Sequence, residues 1–288
     1  MLRPFSKSRL LSQASALLIC LALGTSGVAD ETVTVETIGG RTYTGRLAGL
    51  SRDEVVLSGD TNESVPLADV LRMDWSGKPR ATLAGQDLIL LANGDRIVAD
   101  PVDTDGDVLN ARWRAFPGFG PFRVSLELVK GLAWNLPQDP AVRAQIITRL
   151  IDHTRPSDDV TLTNGNSIAG EFEALGDNSL TLATATGPRT IERDTLRSVA
   201  FNPELIAFPR MSDLRFIVTL IDGSRFTAQE FDYNAEIGIE FVTSFQTKIT
   251  VALERIVSLQ VLGGRAVYLS DLTPDNYTFT PYLSLKWP

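Results

Sequence analysis

His153 is the only histidine in the chain, and the only cysteine, Cys20, sits close to the start. A metal site or a Ser-His-Asp relay would therefore have to run through one imidazole with no second histidine or thiolate to join it. His153 is expected to be a surface residue of a helix instead. Asp103-Thr104-Asp105-Gly106-Asp107 opens like a calcium-binding loop, but Val108 stands where that loop needs glycine and Arg114 where it needs its bidentate glutamate. A solvated turn is the expectation there. Neither a G-x-S-x-G elbow, a phosphate loop nor an H-E-x-x-H helix occurs. A glycosidase could use any two carboxylates that meet in space, and the spacing singles out no pair. No cofactor or metal is called for. The most unusual stretch is ARWRAFPGFGPFRV at 111–124, which places Trp113, Phe116, Phe119 and Phe122 among glycines and prolines. Such rings can stack on sugars or dock a partner. Alternatively, they cap the open end of a small barrel or bury the contact to the first repeat defined below. Trp75 and Trp134 are expected in the core.

The start of the chain sets the expected compartment. Arg3, Lys7 and Arg9 precede the apolar run Ala14–Leu23, and Gly27-Val28-Ala29 follows with small residues where a signal peptidase reads. This is the three-part pattern of a secretory signal over residues 1–29. The run is too short to span a bilayer, which takes about 20 apolar residues, so no membrane span is expected after cleavage. Ile19 stands where a lipoprotein signal needs a small residue before its cysteine, which leaves Cys20 as part of the apolar run. The expected location is periplasmic or extracellular. The whole chain carries 27 Lys and Arg against 35 Asp and Glu; without residues 1–29 this becomes 24 against 35, or −11. An acidic balance opposes nucleic-acid binding, which needs a basic face. The mature chain would hold no disulfide, so burial alone must stabilise it.

What would position any site is a repeat. Four segments open with a strand that ends in a glycine turn: VTVETIGGR (33–41), DLILLANGDR (87–96), DVTLTNGNS (159–167) and FIVTLIDGSR (216–225). The aligned glycines are Gly40, Gly94, Gly165 and Gly223. Asn-Gly and Asp-Gly between apolar runs predict two-residue hairpins with both turn residues at positive φ. Three residues beyond each glycine stands a large apolar residue (Tyr43, Ile97, Ile168, Phe226), and five beyond stands a small one (Gly45, Ala99, Gly170, Ala228). A small residue at a fixed strand position predicts a close backbone approach or a bend. Alternating strands follow, with Val55 and Leu57, Leu180 and Leu182, and Ile237 and Ile239 on the buried face. Each segment closes on apolar residues at +0, +3 and +5: Val70/Met73/Trp75, Val129/Leu132/Trp134, Leu196/Val199/Phe201 and Ile256/Leu259/Val261. The +3 step is read as a tight turn and the +2 step as strand.

The fold expected is all-β: four tandem small β-barrel or sandwich repeats at 31–76, 86–136, 158–202 and 214–263, with one connecting helix at 139–154. Asp139 is the expected N-cap and Pro140 the first helical residue. Val142, Ile146, Ile147, Leu150 and Ile151 form one apolar stripe, expected to pack between the first and second pairs of repeats. Units of about 45 residues are marginal alone, so they should pack on one another. Residues 264–288 form a tail.

The glycine-turn strand, the small-residue strand and the closing signature together resemble an Sm-like small barrel. The tail VYLSDLTPDNYTFTPYLSLKWP resembles the lead-in to an NPCBM-type carbohydrate-binding module of exported, planctomycete-like bacterial proteins, through Tyr268, Leu269, Ser270, Asp271, Leu272, Pro274, Tyr277, Thr280, Pro281 and Tyr282. The resemblance implies a module beginning after Pro288, and hence that the chain is a fragment of a longer product. It implies an exported, non-enzymatic scaffold or adaptor associated with carbohydrate binding at the cell envelope, with a glycan or an envelope protein as partner. A region of a glycoside hydrolase or its accessory module is the enzymatic alternative. An Sm-like nucleic-acid binder is a third, which export and acidity oppose. Ligand identity, oligomeric state and the packing order of the repeats are left open by the residues.

Overall fold

The computed structural model describes residues 32–265, apart from 61, 80, 117–118, 210 and 212–213. The expected signal at 1–29 and the tail residues that resemble the module lead-in lie outside the described residues. The described chain is mostly β, with twenty-one strands, five 3-10 turns and one α-helix. In the first repeat these strands are β1 (Thr32–Thr37), β2 (Thr42–Leu50), β3 (Glu54–Ser58), β4 (Glu63–Pro66) and β5 (Val70–Trp75). The second has β6 (Leu88–Leu91), β7 (Arg96–Ile97), β8 (Asp100–Asp105), β9 (Val108–Arg112), β10 (Phe122–Ser125) and β11 (Val129–Ala133). Then come β12 (Asp158–Leu162), β13 (Ser167–Leu175), β14 (Ser179–Thr184), β15 (Gly187–Glu192) and β16 (Leu196–Ala200). The fourth has β17 (Arg215–Leu220), β18 (Arg225–Asn234), β19 (Gly238–Thr243), β20 (Lys248–Val251) and β21 (Ile256–Leu262). Hydrogen-bonded pairing runs through eighteen of these strands as one sheet, and β8, β9 and β10 form a separate sheet of three.

The glycine turns differ in type from the two-residue hairpins expected. Gly94 N–H donates to Leu91 C=O at 3.0 Å while Leu91 N–H donates to Asp95 C=O at 2.9 Å, and Gly40, Gly165 and Gly223 repeat this pattern. The loop is therefore three residues long, and the glycine alone takes positive φ, between 72° and 93° in the four copies. This is a turn followed by a left-handed residue that forms a bulge. The preceding Asn or Asp serves another purpose: its side-chain oxygen accepts from the N–H two residues on, at Asn93, Asn164 and Asp222.

The closing signature also has a different cause from the one expected. The tight turn comes first, as a 3-10 turn over 67–69, 126–128, 193–195 and 253–255. All three signature residues then lie at or along the closing strand, and all twelve are buried. The +3 step is a β-bulge. Register slips by one residue at Leu71, Lys130, Arg197 and Val257, which returns the +3 side chain to the same face as the first. The small-residue rule holds sterically. A Cβ on Gly45 would lie 2.8 Å from Ser58 C=O, and one on Gly170 would lie 2.3 Å from Ala183 C=O.

Ile237 does not lie on the buried face expected for it. It is 57% exposed in the turn before β19, and Ile239 and Phe241 supply the buried face. The turn is set by Gly238, at φ 110°, where an added Cβ would lie 2.2 Å from Val251 C=O and 2.7 Å from Ala252 Cα. Gly238→Ala is expected to cost about 2–4 kcal/mol, from backbone strain and overpacking together. Gly40→Ala meets open space at φ 72° and should cost only the left-handed penalty of about 1–2 kcal/mol. Urea unfolding of the two variants checks this ranking.

The repeats pair out of sequence order. β5 of the first joins β21 of the fourth, centred on Met73 opposite Leu259. β11 of the second joins β16 of the third, centred on Leu132 opposite Val199. Both joints are antiparallel and both centre on the +3 residue of the two signatures, so each has local two-fold symmetry. The helix α1 (Pro140–Ile151), capped by Asp139 Oδ1 accepting from Ala141 N–H at 2.8 Å, covers one of them. Ile147 and Leu150 bury against Leu88, Leu90, Ala133 and Ala200. Contact there is close because residue 131 is glycine: a Cβ on it would sit 2.9 Å from Leu150 Cδ2. Val142 and Ile151 of the expected stripe are exposed, and the helix meets the sheet through the narrower stripe of Ile146, Ile147 and Leu150.

Candidate functional site

The aromatic stretch lies between β9 and β10, and its described residues Trp113, Ala115 and Phe122 pack on the fourth repeat rather than the first. Trp113 is 1% exposed, and its ring lies 5.2 Å from Phe116, 6.2 Å from Phe119, 5.7 Å from Phe122 and 5.9 Å from Phe226. Most of these contacts are edge-to-face, the favourable arrangement for ring quadrupoles. Phe122 is buried against Phe245, at 5.8 Å. Phe116 and Phe119 are half-buried and packed on the same core. Arg255 of the fourth repeat lies 5.2 Å over the Phe116 ring and donates to Ala115 C=O at 2.7 Å. Of the four candidate contact residues, only Phe116 and Phe119 keep surface that a ligand could reach. Trp113 Nε1 donates to Asp222 Oδ2 at 2.7 Å, across to the glycine turn of the fourth repeat.

Beside the rings lies a reciprocal polar exchange. Asp95, one residue past the turn glycine of the second repeat, is 2% exposed. Its carboxyl group accepts from Thr227 N–H, Thr227 Oγ1, Ser244 Oγ and Asn93 Nδ2, each at 2.8 Å. Ser224, one past the turn glycine of the fourth repeat, accepts through Oγ from Val98 N–H at 3.0 Å. Thr227 and Val98 are both four past their own glycines. Each repeat thus caps the same backbone N–H of the other, about a local two-fold through the Arg96–Arg225 strand pair. Sequence reading missed this exchange because polar residues after a glycine turn look like ordinary solvated turn residues. The difference between Asp95 or Ser224 and their counterparts Arg41 and Asn166 was the available signal. The repeats therefore stand in the order first, fourth, second, third.

A third polar group ties the second repeat to the third. Arg193 donates to Pro101, Val102 and Gly176 carbonyls, and burial pulls its pKa down. Arg114 Nε donates to Asp100 Oδ2 at 2.6 Å, which raises the Arg114 pKa. Asp87 accepts from Asn135 N–H at 2.8 Å, and burial pushes its carboxyl above the ordinary carboxylate value. A raised folded-state value means that the ionised form is disfavoured on folding. Stability from this group is full below the unfolded pKa and is lost as pH rises through the folded one. Asp87→Asn, which keeps an acceptor for Asn135, should raise the unfolding midpoint at pH 7 and change nothing near pH 3. Equal shifts at both pH values would count against this.

The remaining sequence candidates take modest places. His153 lies past the end of α1, half-buried, with Nε2 2.8 Å from Ser157 C=O. Asp103 accepts from Asn110 Nδ2 at 2.5 Å, Asp105 lies 3.6 Å from Arg123, and Gly106 turns β8 into β9 at φ 57°. Among the described residues no three His, Cys, Asp or Glu side chains are grouped to hold a metal, and no helix is long and apolar enough to cross a membrane. Trp75 and Trp134 are buried, as expected. Two depressions open on the surface of the described residues. One is lined by Arg52, Phe216, Glu230 and Phe231, the other by Asp177, Glu192 and Asp194 around Arg193. No family model matches this chain, and no curated protein matches its sequence.

Proposed function

We propose that the chain is an exported, non-enzymatic scaffold of four Sm-like small-barrel units, which spaces a carbohydrate-binding module at the cell envelope and contacts glycan or an envelope protein. The observation that carries this is the use made of the conspicuous side chains. Trp113, Phe122, Asp95, Asp222 and Arg255 all join the second repeat to the fourth, and the closing strands join the other repeats. Joints of this kind fix the spacing between units, which is what a spacer requires. The module-like tail sequence supports the carbohydrate half of the reading. Phe116, Phe119 and Arg255, all half-buried, are the residues of this cluster best suited to touch a sugar ring.

The test is retention of the purified full chain on immobilised envelope polysaccharides and on solubilised envelope fractions. Retention that weakens in Phe116→Ala/Phe119→Ala supports binding through this edge. No retention on either matrix removes the binding half and leaves the spacer alone.

A further inference from the structure

Where the chain passes from β3 into β4 the sequence reads Asp60-Thr61-Asn62-Glu63-Ser64, and Glu63 and Ser64 are the first two residues of β4. Asn-x-Ser, with x other than proline, is the acceptor pattern for an N-linked glycan and belongs on a surface loop of an exported protein. Asp60 adds the acidic residue two positions before the asparagine that the extended form of this acceptor carries. Asp60, Asn62, Glu63 and Ser64 are all exposed. Ser64 Oγ donates to the exposed Glu54 carboxylate, so the hydroxyl of the acceptor pattern also faces outward. β4 pairs with β3.

Position in the row of repeats strengthens the assignment. The same connection in the second repeat is the aromatic loop packed on the fourth. In the fourth it is Ser244–Thr247, which donates to Asp95 and to Arg123 C=O. In the third it is the tight turn from β14 to β15. Only in the first repeat, at an outer end of the row, does an acceptor pattern begin in this connection, with Asn62, Glu63 and Ser64 all exposed.

We propose that Asn62 is a glycan attachment site, an inference that rests on the export reading above. The donor would be an oligosaccharide linked to a lipid diphosphate, and an oligosaccharyltransferase of the export compartment would act on it. Asn62 Nδ2 forms a bond to the anomeric carbon while the carbon–oxygen bond to the diphosphate breaks. The electron pair leaves with the diphosphate, and the amide proton passes to a base of the transferase. Attached there, the glycan would stand clear of every joint between repeats.

The experiment is export of the full chain in a bacterial host supplied with an oligosaccharyltransferase and one defined lipid-linked glycan, read by intact mass and glycopeptide sequencing. The expected result is one glycan increment on a chain starting at Asp30. The increment should be lost in Asn62→Gln and in Ser64→Ala and reduced in Asp60→Ala, with each variant keeping the parent unfolding midpoint. Asn276-Tyr277-Thr278, which has Pro274 in place of the acidic residue, is the internal reference. An increment that survives in Asn62→Gln would place the glycan elsewhere and overturn the proposal. An unmodified chain starting at Asp30 would overturn it and leave export standing. A chain that keeps residues 1–29 would overturn both. Retention on polysaccharide is read separately, on the unmodified chain, so a failure of that reading is not confused with a failure of this one.

Discussion

Trp113→Ala should lower stability by about 3–5 kcal/mol, the usual cost of emptying a large buried ring site. Total stability of a folded chain is about 5–15 kcal/mol, so this one change would remove a large share of it. Trp113 touches Phe116, Phe119 and Phe122 in its own repeat and Phe226 in the fourth. Removing it therefore opens both the loop and the joint. Trp113→Phe keeps most of the ring contact and loses the 2.7 Å bond from Nε1 to Asp222. The Phe variant should cost about 1–3 kcal/mol, the usual range for losing a hydrogen bond to a charged group, while Asp222 keeps Ser224 as its donor. Denaturant unfolding gives both values. If Trp113→Ala left stability untouched and only weakened glycan retention, the ring would be a sugar platform and the internal role would fail.

Asp95→Ala is the second large effect. Four donors converge on this carboxyl group, and three of them, Thr227 N–H, Thr227 Oγ1 and Ser244 Oγ, come from the fourth repeat. Thr227 and Ser244 are themselves buried, so water cannot replace the lost acceptor without opening the joint. At about 1–3 kcal/mol for each unmatched buried group, a total of about 3–5 kcal/mol is expected. Asp95→Asn keeps the shape but turns a donor toward other donors, and should fall between the parent and the alanine variant. A double-mutant cycle with Thr227→Val isolates the pair. A coupling near zero would mean that the two side chains meet without holding the repeats together.

The strands were legible because their periodicity is local. Glycine turns, small residues and closing signatures recur at fixed spacing, and the structure places them where the pattern requires. Their geometry was less legible. A +3 spacing suits a tight turn or a bulge equally well, and only the register at Leu71, Lys130, Arg197 and Val257 decides for the bulge. Asn-Gly likewise suits two turn types, and the Leu91–Asp95 pairing decides between them. Pairing of the repeats was not legible at all, since every repeat carries a closing strand able to join any other. Partner choice rests on a few residues: Asp95 matched to Thr227, Trp113 to Phe226, and Gly131 to the helix. The aromatic stretch was visible as an anomaly, but composition does not tell a ring facing solvent from one facing the fourth repeat.

The joint between the first and fourth repeats has a mechanical consequence. β1 and β21 both run antiparallel to β5, on its two sides, with Thr34 and Ser258 each opposite Asp74. They are therefore parallel to each other. The described chain enters at the start of β1 and leaves at the end of β21, at opposite ends of this three-strand unit. Tension applied between residues 32 and 262 would load the hydrogen bonds of both pairings in shear, many at once, instead of peeling them one by one. The second and third repeats, with their aromatic clamp and covering helix, lie outside that line of force. Single-molecule pulling at those two points should show one high-force event before anything else extends. Early extension at low force would mean that the load passes through the whole row. A tether built this way would hold its length under drag until its two ends part.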